Sequence, residues 1–74
     1  GPVEMGIWSN MDFHLTPAYG RDYKNKSEVI AAWHAGKDFI LATTGQYCSV
    51  RDLRDLPGDV FIRYGGLRKI VKVN

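Results

Sequence analysis

The chain has 74 residues, 45% of them hydrophobic and 12% aromatic, with a formal net charge of +2. That composition is globular, not disordered, and fits one small domain burying about 60% of its unfolded surface. No apolar run approaches the roughly 20 residues that cross a bilayer, and the single cysteine, Cys48, closes no internal disulfide, which fits a reducing compartment.

Gly1-Pro2 reads as the scar of a cleaved tag, and residues 1–10 as a flexible segment before a domain at 11–74. Met5 and Met11 are both candidate starts, and Ile7 and Trp8 are candidates to tuck onto the core. Residues 12–16 alternate polar and apolar, which predicts a half-buried strand with Phe13 and Leu15 inward and His14 outward. Pro17 ends it, having no N–H for a ladder. Residues 18–24 have a glycine and no period, so they form a loop. Its Tyr19, Arg21, Tyr23 and Lys24 have the composition of contact surfaces.

Asn25 and Ser27 are candidate N-caps, and Asn25 with Glu28 resembles a capping box. The helix that follows carries Val29, Ile30 and Trp33 on one stripe, with His34 off it. Gly36 is placed to end it in the left-handed conformation. Residues 39–43 are a continuous apolar run, expected as a strand buried on both faces, or at least a central one. If it neighbours the first strand, a right-handed crossover makes the two parallel. Residues 44–47 are expected to turn. Ser49 then caps a short helix with Val50, Leu53 and Leu56 inward, and Arg51 and Arg54 free to pair with Asp52 or Asp55. Pro57-Gly58 ends that helix.

Two β-rich runs then flank Gly65-Gly66, a hairpin signal, because glycine supplies positive φ cheaply. A two-residue turn sets Tyr64 opposite Leu67 and Arg63 opposite Arg68. A shift by one pairs Tyr64 with Arg68 and Ile62 with Ile70. In either register Val60, Ile62 and Tyr64 share one face, and Phe61 and Arg63 the other. The expected fold is a small α+β domain, β-α-β-(short α)-β-β, with a C-terminal Gly-Gly β-hairpin.

The charge is uneven. From Val60 onward come Arg63, Arg68, Lys69 and Lys72 and no acid; the first 59 residues hold six bases and eight acids. Basic side chains protect exposed strands from edge-to-edge pairing. They also make Phe61, Arg63, Arg68 and Lys72 a candidate binding face beside the loop residues.

The pattern TPAYGRDYK over residues 16–24, followed by KSEV at 26–29 and AGKDF at 35–39, resembles a group of very small accessory proteins of tailed bacteriophages. The resemblance covers most of the chain from Met11. It implies a bacterial host cytoplasm and binding of a host macromolecule, and it brings no functional residues with it.

His14, His34 and Cys48 show no metal-ligand spacing, no glycine-rich loop opens a helix, and Ser27 and Ser49 read as caps. No cofactor, metal or catalytic residue is expected. The expectation is a non-enzymatic module binding a host protein. The alternatives are a nucleic-acid binder using the basic hairpin, and a small-anion binder using Arg21, Lys24 and the helix N-terminus.

Overall fold

The computed structural model describes residues 12–55, 58–66 and 68–74. Residues 1–10 with Ile7 and Trp8, together with Met11, the Val50 side chain, Leu56, Pro57 and Leu67, lie outside the described residues. The elements are β1 (Asp12–Pro17), α1 (Lys26–His34), β2 (Phe39–Leu41), β3 (Tyr47–Cys48), α2 (Val50–Arg54), β4 (Asp59–Tyr64) and β5 (Lys69–Lys72). They form the expected α+β domain with one strand more than expected, because Tyr47 and Cys48 pair with β2. The sheet order is β3-β2-β1-β4-β5.

Alternation along β1 and β4 puts Leu15, Val60, Ile62 and Tyr64 on one face, where they are buried. Val29, Ala32 and Trp33 of α1, Phe39 of β2 and Leu53 of α2 join them in a single core. Both helices therefore cover the same face. His14 and the half-buried Phe61 and Arg63 occupy the other.

Asn25 caps α1: its Oδ1 accepts from the Glu28 amide at 3.0 Å. Glu28 reaches one residue further back than a capping box requires and accepts from the Lys24 amide at 2.7 Å. Gly36, at φ 77, stops the helix. Arg54 does not turn to Asp52 or Asp55. Its Nη2 donates to the carbonyls of Trp33 and His34 at 3.0 and 3.3 Å, adding to the Gly36 amide that already meets the Trp33 carbonyl at 3.1 Å.

The crossover expectation fails. β1 and β2 are antiparallel, with Leu15 opposite Leu41 and Pro17 opposite Phe39. The reason lies in the path between them. Residues 18–24 carry the chain sideways to the β4–β5 turn, where the Tyr23 carbonyl accepts from the Gly65 amide at 2.7 Å. A nine-residue helix is about 13 Å long, close to three strand spacings of about 4.8 Å. That length suffices to cross the sheet back to β2, arriving at the end of β1 it left; Ala18 N donates to Asp38 O there at 3.3 Å. The parallel pair is instead β1 with β4.

The run at 39–43 is not buried on both faces. Only Phe39 is buried; Ile40 and Leu41 are half-buried, and Ala42 and Thr43 are exposed. Among the described residues no helix covers the second face, which Ile40 occupies, although β2 is central, between β3 and β1. The hairpin adopts neither expected register. Tyr64 pairs with Lys69 and Ile62 with Val71, which places Arg63 opposite Ile70 and not opposite a second arginine.

Trp33 is 3% exposed and its ring centroid lies 6.2 Å from that of Phe39. Trp33→Ala is expected to cost about 3–5 kcal/mol by the lost burial and the cavity left behind. Urea denaturation checks this, and an unchanged midpoint would remove Trp33 from the core.

Candidate interaction surface

The loop after β1 holds Tyr19 at φ 60 and Gly20 at φ 69, with Arg21 N closing a turn onto Ala18 O at 3.2 Å. A left-handed backbone costs a non-glycine residue about 1–2 kcal/mol. Tyr19 gains no burial in return, since it is 71% exposed. The conformation projects its ring toward Tyr47. Thr16 lies opposite Ile40, and Ile40 opposite Tyr47, so Tyr47 stands beside the end of β1. The two ring centroids are 6.3 Å apart at 56°, and the Arg21 guanidinium lies 5.9 Å over the Tyr19 ring. Tyr47 is itself 51% exposed. The Asp38 carboxylate, with the Tyr19 hydroxyl beside it, pushes the Tyr47 phenol well above the ordinary tyrosine range.

A clamp joins this loop to the hairpin turn. Asp22 Oδ1 accepts from Arg63 Nη1 at 3.2 Å, and its Oδ2 from the Gly66 amide at 3.1 Å. Arg63 also donates to the Gly66 carbonyl. Gly65 and Gly66 sit at φ 61 and 90, and a Cβ on Gly65 would stand 3.5 Å from the Lys24 carbonyl. The loop and the hairpin, separate candidates in the sequence, thus meet in one rim at the end of β1 and β4.

Not all the expected residues join it: Phe61 and Lys72 lie opposite each other toward the start of β4. Tyr19 and Arg21 are exposed, while Tyr23 is half-buried and packs on the core. Lys24 uses its amide to meet Glu28, whose carboxylate sits where an anion at the start of α1 would bind. Phe61 stacks on His14, centroids 5.1 Å apart at 16°, so His14 is more than a solvated side chain. Arg63 is engaged by Asp22, and Lys72 lies 3.4 Å from Asp59. Arg68 is exposed. Among the described residues, two of the four hairpin cations are therefore matched by carboxylates.

Sequence reasoning missed Tyr47 and Asp38. A two-residue strand carries no readable period, and Tyr47 fell in a stretch read as a turn. Cys48 beside it is half-buried; its thiol lies 3.5 Å from the Gln46 carbonyl and burial pushes its pKa up. No group of three metal-ligating side chains occurs among the described residues.

No family model, curated protein or solved structure matches this chain.

Asp22→Ala is expected to cost about 1–2 kcal/mol, because it removes two charge-assisted bonds to one exposed carboxylate. It should also speed amide exchange at Gly66; unchanged exchange there would show that the clamp does not hold the turn. The Tyr47 phenol should stay protonated above the ordinary value of about 10, and Asp38→Asn should bring it back toward that value. An ultraviolet pH titration reads both. The shift favours the folded state below the unfolded pKa, and that contribution is lost as pH rises through the folded one.

Proposed function

We propose that the chain is a non-enzymatic binding protein of the small phage accessory type, acting in the host cytoplasm on a host protein. The observation that carries this reading is Tyr19. Its backbone takes a costly conformation whose product is an exposed ring, set against a second exposed tyrosine and an arginine. Backbone strain of this kind persists where the surroundings impose it and clusters at functional positions. Tyrosine and arginine are also the side chains that most often dominate protein–protein binding energy.

Charge favours a protein over a nucleic acid. Asp22 and Asp59 engage Arg63 and Lys72, and Asp12 and Asp59 lie opposite each other on adjacent strands. Phosphate contacts need cations free of carboxylate partners, and they make affinity fall steeply with salt.

The test is capture from bacterial lysate by the wild-type chain, Tyr19→Gly and Tyr47→Ala, with the captured species identified by mass spectrometry. Each substitution is expected to reduce capture of the same protein at least tenfold. Tyr19→Gly should melt no lower than wild type, because glycine relieves the left-handed strain. Equal capture by all three chains would overturn the proposed surface. Capture of nucleic acid alone, lost between roughly 50 and 200 mM salt, would overturn the partner class.

A further inference from the structure

β5 is the outermost strand of the sheet, and among the described residues nothing pairs with its free side. The Val73 amide donates to the Val60 carbonyl at 2.9 Å. Antiparallel ladders alternate bonded and non-bonded pairs. With Ile62 opposite Val71 and Tyr64 opposite Lys69, the backbones of residues 69, 71 and 73 therefore bond inward to β4. The N–H and C=O groups of Ile70 and Lys72 point outward, away from the sheet. Ile70 is also a large apolar side chain left 52% exposed on this edge.

The net charge along the edge is positive. Arg68, Lys69 and Lys72 are all exposed; Asp59 lies 3.4 Å from Lys72, and no acidic side chain follows it in the chain. We propose that this edge accepts one extended, acidic peptide strand from a protein partner, bonded through the outward backbone groups of Ile70 and Lys72. Strand addition takes its affinity from main-chain bonds and its selectivity from the flanking side chains. Here the flanking side chains are cations around one apolar anchor, which suits carboxylates spaced about an apolar residue.

A second copy of β5 fits worse. A register centred on Ile70 sets Arg68 against the neighbour's Lys72, and one centred on Lys72 sets that lysine against itself; one centred on Val71 opposes no like pair directly but still brings two positively charged edges together. Like charges directly opposite are unfavourable. Edge cations therefore reject self-pairing and attract an acidic strand by the same field. This surface uses none of Tyr19, Arg21 or Tyr47, so it stands or falls apart from the tyrosine rim.

The probe is a pool of synthetic peptides of about eight residues, strand length, alternating glutamate with valine, isoleucine or threonine. The readout is the amide NMR spectrum and amide exchange of the full chain. The amides of Ile70 and Lys72 are expected to shift and to exchange at least fivefold more slowly, with smaller changes at Lys69 and Val71. A pool with lysine in place of glutamate should give no response. Ile70→Pro removes the outward donor without removing a bond to β4, and should weaken peptide binding at least tenfold. If that chain does not fold, Ile70→Glu keeps the backbone and repels the acidic strand, with the same expected loss. The proposal is overturned by a footprint elsewhere, by no footprint, or by equal response to the lysine pool. Concentration-dependent shifts at β5 without peptide would also overturn it, in favour of a second copy.

Discussion

The structure depends on the shortage of helix relative to sheet. Five strands present an apolar face, and a nine-residue and a five-residue helix must cover it. A helix about 13 Å long laid along one strand would leave its neighbours bare. Laid across them, it places Val29, Ala32 and Trp33 over strands that β-alternation has already turned inward. The long loop before α1, the return of β2 beside β1, and the single covered face all follow from that crossing.

The crossing also explains the clamp at the β4–β5 turn. To start the helix on the far side, the loop must be fixed to the β4–β5 turn. Asp22 does this by meeting a guanidinium and a backbone amide together. Exposed ion pairs of this kind contribute only about 0–1 kcal/mol, so the added amide bond and the Tyr23–Gly65 bond matter more than the charge pairing. The opposite face receives no helix among the described residues. Its His14–Phe61 stack shields part of the apolar surface that alternation leaves there.

Elements governed by near neighbours were legible in the sequence. Asn25, Gly36 and Ser49 act where local chemistry puts them, and the stripe of Val29 and Trp33 is buried as its spacing demands. The alternation in β1 and β4 assigns their faces correctly. What failed depends on partners far along the chain. The hairpin register is set in part by Asp22, 41 residues before the Arg63 it holds. The direction of β2 depends on where α1 begins in space, which no local pattern records. Of the candidate site, Tyr19 and Arg21 were visible as a composition; their companion Tyr47 was not, because its strand is too short to show a period.

The parallel pairing of β1 with β4 has a consequence for synthesis. β1 has β2 on one side and β4 on the other. The ribosome makes β1 early, but its register partner at Asp12 is Asp59, and at Leu15 it is Ile62. Until those residues have left the exit tunnel, β1 has β2 on one side only, and α1 lacks the β4 side chains it packs against. Such a topology stores its decisive contacts at long sequence separation, where loop closure is costly and folding is slow. Leu15, Trp33 and Phe39 therefore stay incompletely sheltered until Val60 and Ile62 arrive, a window in which chaperones or proteases compete with folding.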